Sequence, residues 1–218
     1  VPARGAGEAF AELVAVMDRL RSPGGCPWDA AQTHASLAPY AIEEAYEVAD
    51  AAERGDAAAL VDELGDLLLQ VVFHARVAED DPAAPFDVTD VVEGLVAKLR
   101  RRHPHVFGDV VVADAAEVAT NWEQIKARER AAQAAAPEGG EAGHEGVPLA
   151  MPALARAQKV VGRGERAGRA LPGAGATVGD RLLALVVEAA RAGLDAEAEL
   201  RRATARWEDA GGPGLASD

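Results

Sequence analysis

The stretch from Ile42 to Arg76 leaves this chain few folds to choose from. It reads EEAYEV and then, after a Gly-Asp break, DELGDLLLQVVFHAR, two helical patterns studded with Glu43, Glu44, Glu47, Glu63 and Asp66. At about 100° per residue, Glu63, Asp66, Gln70 and His74 form one narrow stripe beside an apolar face. On the preceding helix, Ala41, Ala45, Val48, Ala49 and Ala52 gather on one side, with Glu44 and Glu47 flanking them in the same phase. If the short Arg54 to Asp56 turn pairs the two helices antiparallel, the two acidic pairs converge on one site. Carboxylates that close repel one another and ionise together comfortably only around a positive charge. All the donors are hard oxygens, so the expected ion is Mg2+, with Mn2+ as a substitute. Di-iron carboxylate bundles need Glu-x-x-His on two helices. Here Glu44 is followed three residues on by Glu47, and Glu63 by Asp66, which argues against iron.

The flanking sequence is read as helices too. Glu8 to Arg21 places Phe10, Leu13, Val14, Met17 and Leu20 on one face. SPGGCPWD, Ser22 to Asp29, stacks glycines and prolines into an expected loop, in which Trp28 lines a pocket or anchors the loop to the core. A second helix is expected to start between Ser36 and Pro39, with Ser36 as its cap, and to end at Gly55. Asp56 then caps a third, with Leu60, Leu64, Leu67, Leu68, Val71 and Ala75 inward, as far as the break from Asp80 to Pro85. Thr89 is expected to cap a fourth through Arg102, with Val91, Val92, Leu95 and Leu99 inward and Pro104 closing it. Its end, KLRRRHPHVF, is the densest basic cluster in the chain. A fifth, Asp114 to about Gln133, holds Trp122 and Lys126 on one side. His74 reads as a bundle-interface histidine, and His103 and His105 as loop structure.

Composition narrows the function. Aromatics are only 4% of 218 residues and alanine is abundant, which favours an all-α fold, a four-helix-bundle-like module. A net charge of −14 argues against gripping a nucleic-acid polymer, though a small anion carried with its own cation fits. The single cysteine, Cys26, forms no intramolecular disulfide, and no apolar run approaches the roughly 18 residues of a spanning helix. The N-terminus lacks the apolar region of a signal peptide, so a soluble, cytoplasmic protein is expected.

Taken together, E-E-x-x-E at Glu43 to Glu47, E-x-x-D at Glu63 to Asp66, GCPWDAAQTHASLAPY, KLRRRHPHVF and NWEQIK resemble the MazG family of the all-α NTP pyrophosphatase superfamily, over about Phe10 to Arg130. The resemblance implies Mg2+-dependent hydrolysis of a nucleoside triphosphate to its monophosphate and pyrophosphate, in a homodimer or higher homo-oligomer. It implies Glu44, Glu47, Glu63 and Asp66 as metal ligands, with Glu43 orienting or deprotonating the attacking water. Cleavage between the α and β phosphates also needs cations on the pyrophosphate leaving group. Lys98 and Arg102, four apart on one helix face, and Lys126 suit that task, with Arg101 as a neighbour. Trp122 either stacks on the base or packs the bundle. Narrower substrates of the same superfamily, dUTP, dCTP or phosphoribosyl-ATP, stay open, as does a non-catalytic nucleotide-binding module.

The expected domains are a catalytic module over 1–133, a flexible linker over 134–147, a degenerate second helical module over 148–210 and a disordered tail over 211–218. Leu149 to Val161 and Asp180 to Trp207 look helical. LLALVVEAAR, Leu182 to Arg191, echoes LLLQVVFHAR, Leu67 to Arg76, but Arg181 or Asp180 stands where Asp66 does, according to register, and nothing matches Glu63. The second copy has lost the acidic set.

Overall fold

The computed structural model describes residues 5–134, 147–173 and 175–210, which form ten helices and no strand. They divide into two compact units, 1–126 and 127–218. The linker expected over 134–147 and the tail over 211–218 lie almost wholly outside the described residues.

In the first unit α1 (Ala6–Arg21), α3 (His34–Arg54) and α5 (Val88–Arg102) all pack against α4 (Ala57–Ala78). Met17, Leu37, Val72 and Phe73 form the core, lined by Phe10, Leu13, Val14, Leu69, Val77 and Val88. Burying each large apolar side chain contributes about 1.5–3 kcal/mol. An ion-pair clamp ties α1 to the end of α4: Arg76 Nε donates to Asp18 at 2.9 Å, and Asp80 takes Arg76 Nη1 at 2.9 Å and Arg21 Nε at 3.2 Å.

Local chemistry shifts several expected boundaries. The loop at Ser22–Asp29 contains the start of a short helix, α2 (Pro27–Ala31), with Pro27 at its first position. Gly25 is required before it, because a Cβ there would lie 2.2 Å from the Leu20 carbonyl oxygen. Arg21 Nη1 then fastens the helix end by donating to the carbonyls of Asp29 at 2.7 Å and Gln32 at 3.0 Å. Thr33, not Ser36, caps α3: its hydroxyl accepts from Ser36 N at 3.2 Å, and Ser36 Oγ accepts from Thr33 N at 2.9 Å. Pro39 consequently lies inside the helix rather than in its first turn. Asp87, not Thr89, caps α5, accepting from the amides of Thr89 and Asp90 at 2.6 and 3.0 Å. His103 closes α5, and Pro104 opens α6 (Pro104–Phe107). α7 (Ala115–Ala134) runs across the boundary between the units.

The apolar stripes are less buried than expected. Leu64, Leu68 and Val71 of α4 and Val92, Leu95 and Leu99 of α5 are all exposed in the single chain. On α3 the deeply buried positions are Leu37 and Ala51, while Ala45 and Ala52 face solvent.

The second unit holds α8 (Ala153–Arg166), α9 (Val178–Arg191) and α10 (Ala196–Asp209) around Val161, Val186, Val187 and Ala196. The helical stretch expected as one from Asp180 to Trp207 breaks at Gly193, whose φ of 72° suits a residue without a side chain. Gln158 stitches that break to α8, donating to Leu194 O and accepting from Ala196 N, both at 2.8 Å.

Candidate active site

The turn between α3 and α4 sets the site. Gly55 takes the left-handed conformation at φ 69°, ψ 23°, which ends α3, and Asp56 accepts from the amides of Ala58 and Ala59 at 3.1 Å, which starts α4. With one residue of cap on each side, α3 and α4 run antiparallel, and their acidic pairs meet. Glu44, Glu63 and Asp66 each offer an oxygen within 4.8 Å of the others, the one such group among the described residues. Glu47 lies close enough to add its negative charge to both Glu44 and Glu63. Glu43 is exposed on α3 and stands outside the three-carboxylate group.

The electrostatics are those of crowded like charges. Partial desolvation, followed by Asp66 and Glu47, pushes Glu44 above the usual carboxylate range. Desolvation, then Glu47, Asp62 and Asp66, does the same to Glu63. The donors are all hard carboxylate oxygens without sulfur or imidazole, a set suited to Mg2+ or Mn2+ rather than to zinc.

The cationic residues lie on α5 and α7. Lys98 and Arg101 are exposed and Arg102 is half-buried. Lys126 Nζ sits 5.1 Å above the Trp122 ring, a cation–π contact that occupies one indole face. Trp122 is also 6.1 Å from the His103 ring, and His103 is 5.6 Å from His105. The sequence signal at these two histidines was structural, yet they stand at the aromatic and basic corner. His103 Nδ1 bonds to the Leu99 carbonyl at 2.7 Å, holding the ring at the end of α5.

Two further features lie along the α3–α4 seam beyond the carboxylates. His34 and His74 stack at 5.1 Å with their Nδ1 atoms 2.8 Å apart, and burial together with His34 holds His74 below the usual imidazole range. Trp28, half exposed, meets the rings of Tyr40 at 6.1 Å and Phe73 at 6.4 Å, both edge-on. It therefore both anchors α2 and offers open indole surface. The His34 partnership was readable only once the antiparallel register was known, since 40 residues separate the two rings.

Comparison with known proteins gives a family match over the helices that carry these residues. The family model for the MazG nucleotide pyrophosphohydrolase domain matches residues 32–107, which span Glu43, Glu44, Glu47, Glu63 and Asp66 together with Lys98, Arg101 and Arg102. An uncharacterised 26.1 kDa protein from the blaB 3′ region of Streptomyces cacaoi is 47% identical over 206 residues, covering 94% of this chain and 81% of that protein. The nucleoside triphosphate pyrophosphohydrolase of Escherichia coli K12 is 48% identical over 149 residues, 68% of this chain but 54% of the relative, so the chain spans about half that protein's length. The crystal structure of a mazG-related protein from Thermotoga maritima aligns with a TM-score of 0.45 and 27% identity, over 54% of this chain and 98% of that one. With the domain match falling on the helices that build the carboxylate site, and identity near one half extending well beyond them, the chain belongs to the MazG family.

Proposed function

We propose that this chain is a Mg2+-dependent nucleoside triphosphate pyrophosphohydrolase, cutting NTPs and dNTPs between the α and β phosphates to a monophosphate and pyrophosphate. The observation that carries the proposal is the convergence of Glu44, Glu63 and Asp66 within 4.8 Å, crowded enough to push Glu44 and Glu63 above the usual carboxylate range. Glu44, Glu63 and Asp66 would hold the metal together with Glu47, whose charge acts on both Glu44 and Glu63. When bound, Mg2+ supplies charge neutralisation on the phosphate oxygens. Glu43, solvent-facing beside the ligands, orients the water aimed at the α phosphorus and takes its proton. Lys98, Arg102 and Lys126, with Arg101 beside them, stabilise the charge that gathers on the departing pyrophosphate. Trp122 holds the Lys126 ammonium in place through its ring face.

The working form is a homo-oligomer, most simply a homodimer. Its support is the row of exposed Leu64, Leu68 and Val71 on α4 and Val92, Leu95 and Leu99 on α5, since apolar surface of that extent marks an interaction face. The second unit is a degenerate module that has kept helices but has no acidic triad among the described residues. Its role is packing.

Pyrophosphate release from a panel of canonical and damaged NTPs, with and without Mg2+, tests the activity. Release that requires the metal is expected. Nucleotide binding without pyrophosphate under any divalent metal would replace the enzyme with a nucleotide-binding module.

A further inference from the structure

Among the described residues Gln70 is the one buried polar side chain, 6% exposed, and its Oε1 has no hydrogen-bond partner. An unmade bond to a buried amide oxygen costs about 1–3 kcal/mol, so a well-packed helix seam would ordinarily hold an apolar residue there. Gln70 lies in the stripe that Glu63 and Asp66 begin, one turn beyond Asp66 and one turn short of His74. One turn is about 5.4 Å, the span a sugar ring needs between an α phosphate at the carboxylates and its base. At this level of the seam stand two half-exposed aromatic rings, Trp28 and Tyr40, 6.1 Å apart in an edge contact at 73°, which leaves part of each ring open to a ligand. Trp28 also touches Phe73, which follows Gln70 by three residues on the same helix. Gln70, Trp28 and Tyr40 bear no charge, which suits a nucleobase and not a phosphate.

We propose that Gln70, with the rings of Trp28 and Tyr40, forms the nucleobase subsite, its amide pairing with the hydrogen-bonding edge of the base. The subsite rests on the pyrophosphohydrolase function proposed above. An amide presents one acceptor and two donor hydrogens, which matches the adjacent donor and acceptor on a base edge. Oε1 is sealed from water in the free chain, and rotation about the broad terminal torsion of the side chain turns it toward a bound base. The rings supply a stacking face that any base fits, whereas the amide selects for a base that can pair with it.

The test compares kcat/KM for ATP and CTP with that for ribose 5′-triphosphate, which has the phosphates but no base. Wild type is expected to prefer the nucleotides. Gln70→Met, nearly isosteric and rid of the unpaired acceptor, should fold at least as well as wild type and reduce that preference about tenfold. Trp28→Ala, at a half-exposed position, should raise KM for the nucleotides alone. The subsite is overturned if wild type shows no preference, if Gln70→Met keeps it, if either variant affects both substrate classes equally, or if Gln70→Met changes only the oligomeric mass. In each of those cases wild type still releases pyrophosphate and the proposed function stands. A wild type that releases none from any NTP overturns both.

Discussion

Glu63 sits where acidic charges from two helices meet: Glu47 presses on it from α3, and Asp62 and Asp66 from its own helix. Its folded-state pKa is raised above the unfolded value. The stability it contributes is therefore present below the unfolded carboxylate pKa, with the proton on, and is lost as pH rises through the folded pKa. Glu44 behaves in the same way. Glu63→Gln should accordingly raise the Tm of the metal-free chain at neutral pH, by an amount that shrinks as the pH falls through the raised folded-state pKa and wild type regains its proton. The same variant should lower pyrophosphate release by about 10²-fold or more, as loss of a group that aligns charge at the reacting phosphate does. Thermal melts across pH and a turnover assay check both halves. The carboxylates were legible in the sequence because residue type and helical spacing suffice to place them on one edge. The missing partner of Gln70 was not, since an amide in that stripe looks the same whether or not its oxygen is satisfied.

At the scale of elements, the α3–α4 pair follows almost entirely from Gly55 and Asp56, whose backbone and capping preferences fix the turn without help from the rest of the fold. The other boundaries depended on competition between neighbouring caps. Thr33 with Ser36, and Asp87 with Asp90, form reciprocal pairs in which the earlier residue is the cap, so a reading that takes the later hydroxyl starts the helix too late. Helical period also cannot say which molecule covers an apolar face. Leu68 was expected inward, and it is exposed in the single chain together with Leu95 and Leu99. Leu68→Lys should leave the far-ultraviolet circular dichroism of the helices intact and reduce the mass seen by light scattering from a multiple of 22.5 kDa to 22.5 kDa itself. A wild type already at 22.5 kDa would contradict the oligomer.

Across the whole molecule, the two units differ in what they keep. The first places carboxylates on α3 and α4 and cations on α5 and α7, whereas the second packs Val161, Val186 and Val187 and exposes Arg181 near the position that corresponds to Asp66. Its echo of the first unit is visible in LLALVVEAAR, but only the structure splits its last helical stretch at Gly193. Removing the residues after Val147 should leave pyrophosphate release measurable, within about tenfold of the full chain, because no group proposed for chemistry lies there. Total loss with helicity preserved would give the second unit a part in the site. The most direct test of the central claim is hydrolysis of an NTP in ¹⁸O-labelled water with Mg2+, followed by mass spectrometry of both products. Attack at the α phosphorus, supported by Glu44, Glu63 and Asp66, predicts one label in the monophosphate, none in the pyrophosphate, and no products without the metal. Label in the pyrophosphate, or equal yield after chelation of Mg2+, would contradict it.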